Sequence, residues 1–209
     1  MVHHGTSAPA PSRRLVVLLF ALLGLLIAAL AGPAEAAPSL TLENRATASR
    51  QPVINPAFQV PNDAGQVFYI QRSPNANTVV YGTRVAGGQI DSSAPVSAYW
   101  RRFNNDGGTK GLSTLERNFA YGVNAKANGD GTYRVTFKAL PSKTMTLRME
   151  GGRPALFMPM GDAEARLIYA YLDVDDGGLV PSVTGLKIVG QYPSGQYVTE
   201  TYRVKGGEL

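Results

Sequence analysis

Between two apolar runs the chain carries Gln71-Arg72-Ser73-Pro74-Asn75-Ala76-Asn77, which sets amides, a hydroxyl and a guanidinium close together. Such groups can hold a sugar or a carboxylate, because amides donate and accept while arginine offers a planar fork of donors. The competing reading is a turn in which Asn75 and Asn77 bond their own backbone and Pro74 fixes the bend. A second group, Tyr99-Trp100-Arg101-Arg102-Phe103, alternates rings with cations, a pattern that stacks sugars or bases. In a strand, Val96, Ala98, Trp100 and Arg102 share one face, and Ser97, Tyr99, Arg101 and Phe103 share the other. An aromatic residue therefore joins the core whichever face turns inward.

Acidic residues offer less. Aligned on Asp173, the run Asp173-Val174-Asp175-Asp176-Gly177-Gly178 would need an oxygen ligand at 177 and a glutamate at 184 to form an EF-hand loop. Gly177 and Thr184 stand there, so the run is expected to be a strand-ending turn and no metal or other cofactor is expected. Glu200 is different. Val198, Glu200, Tyr202 and Val204 fall on one face of a strand, and that face is the apolar one. A carboxylate placed there needs hydrogen bonds and an opposite charge, and Arg72 and Arg102 are the expected partners.

Other chemistry is excluded by composition. There is no cysteine, and the two histidines, His3 and His4, precede the first apolar run. Beyond that run, Ser-His-Asp and Cys-His nucleophiles, thiolate or imidazole zinc sites and disulfides cannot be built. No serine is followed by lysine three positions on, which removes the Ser-x-x-Lys signature. What remains is lysine chemistry or a pair of carboxylates about 5–10 Å apart across a cleft, and the sequence selects no such pair.

Arg13 and Arg14 precede Leu15 to Ala31, 17 residues without a polar side chain. Gly32-Pro33 then breaks the helix, and Ala34-Glu35-Ala36 supplies small residues ahead of Ala37. This is the order of a secretory signal peptide, expected as a helix over 1–36 and removed on export to the periplasm or beyond. If it stays uncleaved, the segment is a membrane anchor with the same outward placement of the rest. Its loss takes Arg13, Arg14 and Glu35, so 20 basic and 15 acidic side chains become 18 and 14. A surplus of four positive charges is no nucleic-acid footprint.

The elements that must position these groups are strands. Residues 37–65 form an irregular approach broken by Pro38, Pro52, Pro56 and Pro61, with Phe58 and Val60 expected to pin it. Residues 66–205 form a β-domain. Tyr133, Val135, Phe137 and Ala139 alternate with Thr132, Arg134, Thr136 and Lys138, and Met145, Leu147 and Met149 repeat the pattern. Further strands are expected at 66–71, 78–83, 96–103, 119–124, 155–158, 166–174, 186–192 and 197–204. Leu167 to Leu172, apolar or aromatic on both faces, is expected to be central. Ser113-Thr114-Leu115-Glu116 is a capping box for one or two helical turns. The expected fold is all-β, a single antiparallel β-barrel or strongly curved sandwich of about ten short strands.

A family resemblance lies along these strands. Phe58-Gln59-Val60-Pro61, the run from Phe68 through Gln71-Arg72-Ser73-Pro74-Asn75-Ala76-Asn77 to Tyr81, Tyr99-Trp100, Phe119-Ala120-Tyr121-Gly122 and Gly190…Ser194-Gly195-Gln196-Tyr197-Val198-Thr199-Glu200 resemble domain-of-unknown-function family 4833 in order. Arg101 departs from the aliphatic residue expected after Tyr-Trp, as does the glycine-rich stretch 104–111. The resemblance implies no activity.

The candidate ligand-binding residues are thus Gln71, Arg72, Asn75, Asn77, Trp100, Arg102, Tyr121 and Glu200. A non-catalytic module for a small molecule, lipid or glycan is favoured. The alternatives are a carboxylate-dependent hydrolase of an envelope polymer, and a structural domain that meets protein partners through an edge strand. No nucleic-acid partner is expected, and a membrane only through the leading segment.

Overall fold

Alternation of apolar and polar side chains organises the chain into one folded sheet, seen in a computed structural model that describes residues 40–42, 47–49, 60–72, 76–103, 106–138, 140–175 and 182–204. All of these lie in one compact unit, Pro38–Leu209. The expected signal helix over 1–36 lies outside the described residues. In chain order the strands are β1 (Leu40–Leu42), β2 (Thr47–Ser49), β3 (Gln66–Arg72), β4 (Thr78–Gly82), β5 (Val85–Ala86), β6 (Gln89–Ile90), β7 (Ser97–Arg101), β8 (Thr109–Gly111), β9 (Val123–Ala127), β10 (Tyr133–Phe137), β11 (Leu140–Glu150), β12 (Arg153–Met160), β13 (Ala163–Asp175), β14 (Ser182–Gln191) and β15 (Tyr197–Val204). All-β is therefore correct. The described strands number fifteen rather than ten, and β11, β13 and β14 are long.

Hairpins follow the turn chemistry. Gly151 and Gly152 both adopt positive φ between the paired ends Glu150 and Arg153, the geometry a two-residue turn needs to match strand twist. The main sheet runs β8-β7-β4-β3-β13-β12-β11-β10-β9, with β14 and β15 attached through the other side of β13. Two pieces of the segment read as an irregular approach, β1 and β2, pair with β15. Val60 does not pin this segment, being exposed; Pro61 is buried, and Asp63 ties the segment down through Tyr99 and Arg101.

One pairing is not antiparallel. β13 pairs with β12 over Phe157↔Arg166 to Met160↔Ala163, and further along it pairs in parallel with β3 over Ala170↔Ile70 to Leu172↔Arg72. The thirteen-residue strand outruns β12, and β3 fills the hydrogen-bonding edge that is left. A register shift at Leu167/Tyr169 breaks the alternation there, and Ile168 and Tyr169 both join the outer cluster.

The sheet curls until Phe68 of β3 and Tyr81 of β4 meet Phe137 of β10, at 5.7 and 5.2 Å between ring centroids. Its ends, β8 and β9, do not pair with each other, so the result is a half-barrel. The inner core includes Phe68, Val79, Tyr81, Met145, Leu147, Met158, Met160 and Leu167. A smaller outer cluster holds Tyr69, Val80, Tyr169 and Val189, with the Tyr69 and Tyr169 rings stacked at 5.4 Å.

The free ends β8 and β9 are consecutive in the chain, joined by residues 112–122. The capping box forms as expected. The Ser113 N–H donates to Glu116 Oε2 (2.7 Å), and the Glu116 N–H donates to Ser113 Oγ (3.2 Å). A π-helical turn follows over Glu116–Ala120, which corrects the strand expected from Phe119. Gly122 ends it by close packing: a Cβ there would lie 1.6 Å from the Arg117 carbonyl oxygen. The strand starts only at Val123.

Candidate functional site

Strand register lines up one inward-facing row across the sheet: Glu200 opposite Ile188, then Ala170, Ile70, Val79 and Trp100. A neighbouring row runs Tyr202, Leu186, Leu172, Arg72. The apolar middle of each row belongs to the inner core. Polar chemistry gathers at the ends.

At one end Arg72, Trp100 and Tyr121 come together. The Arg72 guanidinium carbon lies 6.0 Å from the Trp100 ring centroid, and Tyr121 meets that ring edge-on at 5.3 Å. Trp100 Nε1–H donates to Glu116 Oε1 (3.1 Å), so the capping glutamate has a second task. Buried Tyr81 donates its hydroxyl to the Tyr121 carbonyl (2.8 Å) and anchors the connection from below. Burial holds the Tyr121 phenol above its ordinary ionisation range; Arg72, hydrogen-bonded to it, opposes that shift and Glu116 reinforces it. Arg72, Trp100, Glu116 and Tyr121 are each partly exposed, so the cluster forms a rim. Among the described residues Arg72 Nε is buried without a hydrogen-bond partner.

At the other end Glu200 is buried, at 5% exposure, and well supplied. Oε1 accepts the Gly161 N–H (3.0 Å) from the β12–β13 turn, and Oε2 accepts the Tyr202 hydroxyl. Lys143 Nζ stands 4.0 Å away and lies over the Tyr202 ring. Burial and the Glu200 carboxylate both push the Tyr202 phenol far above its ordinary range. Glu200 thus turns inward and is paired, as alternation implies. Its partner is Lys143 of β11, not Arg72 or Arg102. Arg72 lies across β14 and β13 from it, and Arg102 faces Asp106 at 3.7 Å.

The other candidates scatter. Gln71 is buried, but it neighbours Arg72 in β3 and pairs with Tyr171 of the outer face, so it cannot share the rim. Asn77 is half-buried ahead of β4, and Asn75 lies outside the described residues. Tyr99 and Arg101 turn outward, where Arg101 Nε donates to Asp63 (3.2 Å), a second guanidinium nitrogen reaches the same carboxylate, and the Tyr99 hydroxyl joins at 3.1 Å. Arg101 thus forms a local ion pair with Asp63. Glu116 is the rim residue that sequence reasoning misses, because its capping role already accounts for it. Among the described residues no three metal-ligating side chains gather. An open groove of about 380 Å³, with Lys126 and Arg134 beside Thr136 and Thr144, lies on β9–β11 and is lined by none of the rim residues.

Residues 68–201 match the family described as Domain of unknown function (DUF4833). The chain belongs to that family. No curated protein matches it, and no solved structure does. The DUF4833 match takes in both ends of the row, from Arg72, Trp100, Glu116 and Tyr121 to Glu200, together with the parallel strand pair between them.

Proposed function

We propose that this DUF4833 protein is an exported, non-catalytic binding module whose Arg72–Trp100–Tyr121 rim receives a small molecule, lipid or glycan. The observation that carries the reading is the clustering itself. Three residues distant in sequence bring an aromatic platform, a cation and a phenol to one partly exposed place on the inner face. Ring faces beside a guanidinium suit flat or hydroxyl-rich ligands that bury apolar area while keeping a few polar contacts. Export rests on the ordered basic, apolar and small-residue regions ahead of Ala37.

Trp100 is the only tryptophan in the chain, so its emission reports on the rim alone. Native mass spectrometry of the protein purified from its own host is expected to give a chain beginning at Ala37 and carrying a non-covalent adduct. Stripping the adduct should shift Trp100 emission. A bare mass, with emission indifferent to lipid and glycan extracts of the host, refutes binding at the rim. A full-length membrane-bound product refutes cleavage.

A further inference from the structure

We propose that Arg72 anchors an oxyanion, a carboxylate or phosphate at the head of an apolar ligand; the inference rests on the rim being a binding site and adds the ligand's charge and shape. Four of the described arginines have the acidic partner that Arg72 lacks. Arg84, Arg101, Arg102 and Arg148 each stand within 4 Å of a carboxylate, those of Asp91, Asp63, Asp106 and Glu164. Among the described residues, the Arg72 guanidinium meets the Trp100 ring and the Tyr121 phenol, both neutral. The nearby carboxylate, Glu116, is committed elsewhere, with one oxygen on Trp100 Nε1–H and the other on the Ser113 N–H.

A guanidinium presents Nε–H and one Nη–H along a single edge, a spacing that matches the two oxygens of a carboxylate or phosphate. The Nε–H is the donor left over and it lies beneath the surface, so an anion that works in along that edge would complete it. Apolar surface lies next to it. Leu172 pairs directly with Arg72, and Ile70 is one step along the same face; both are partly buried against the inner core. An anionic head on the Nε edge therefore places its tail over Leu172 and the Trp100 ring.

Three probes with one tail separate the terms. Trp100 emission is titrated with octanoate, octyl phosphate and octanol on the mature protein. At least one anion is expected to saturate at a tenfold lower concentration than octanol. Arg72→Met should erase that preference by weakening the anions to the level of octanol, and Arg72→Lys, which keeps charge but loses Nε–H, should lose most of it. Arg102→Met should keep it. Tighter octyl phosphate indicates a lipid headgroup, and tighter octanoate a free acid. Octanol matching both anions, or a preference that survives Arg72→Met, overturns the anchor and leaves the binding reading in place. Inorganic phosphate as tight as octyl phosphate overturns the apolar half. If no probe moves the emission, the anchor is overturned, and the rim reading stands or falls on the co-purifying adduct.

Discussion

Glu200 and Arg72 both carry charge onto the inner face of the same curled sheet, on adjacent rows, and their surroundings differ in completeness. Around Glu200 a backbone N–H, a phenol and an ammonium converge from three separate segments, and both oxygens accept a hydrogen bond. Around Arg72, among the described residues, the guanidinium meets an indole face and a phenol, and Nε–H has no acceptor. A buried carboxylate served this fully is part of the architecture, because removing any member strands the rest. An arginine left with an unused donor contributes little to holding the fold. The contrast separates a charge that the fold needs from one that the fold merely presents.

The largest effect should follow from breaking the complete end. Glu200→Gln is expected to cost about 3 kcal/mol, mostly by setting an amide donor against the Gly161 N–H or the Tyr202 hydroxyl, with the one-third-exposed Lys143 adding little. Each kcal/mol is worth about 2–4 °C in a domain of this size, so calorimetry should show Tm falling by about 6 °C or more. A fall of less than about 2 °C would erase the distinction between the two ends. Arg72→Met comes next and should be far milder, with Tm within about 3 °C of the parent, since it removes an incompletely bonded charge and keeps the apolar stem. If it destabilises as much as Glu200→Gln, Arg72 is structural and the comparison is wrong.

The smallest effect is in acid. Hydrogen bonds from Ser93 to Asp91, from Gly108 to Asp106 and from Thr132 to Asp130 lower these turn carboxyls below their ordinary 3.8. A lowered carboxyl adds stability that is present above the unfolded value and is lost as pH falls toward the folded one. Melting curves should therefore barely move on account of these turns between pH 7 and 5 and should soften below about 4. Asp130→Asn, which removes one such group, should flatten part of that acid slope.

Much of this was legible where physics is local. Alternation put Tyr133 and Val135 inside, turned Glu200 inward beside Val198 and Tyr202, and marked Leu167 to Leu172 as central. The spacing of Ser113 and Glu116 was enough for the cap. Alternation also forbids Gln71 and Arg72 from sharing a face, which a motif read as a string overlooks. Long-range partners were not legible. Lys143 reaches Glu200 only because β11 curls over the sheet, and nothing near either residue announces the other. Two-residue strands such as β5 and β6 are too short to show a period. The parallel contact of β3 depends on the length by which β13 outruns β12, a difference between two strands and not a pattern within one.

That parallel contact also bears on the order in which the protein acquires its shape. Ile70 and Ala170 are a hundred positions apart, and β3, β4 and β7 form a set of hairpin neighbours whose open side stays unsatisfied until the chain near 170 is available. Contacts of such high sequence separation form late and slow the reaction, and an unpaired strand edge invites pairing with other chains meanwhile. The early strands must therefore spend synthesis as an incomplete template, and the step that commits the molecule to its native topology is the arrival of β13 between them and β14.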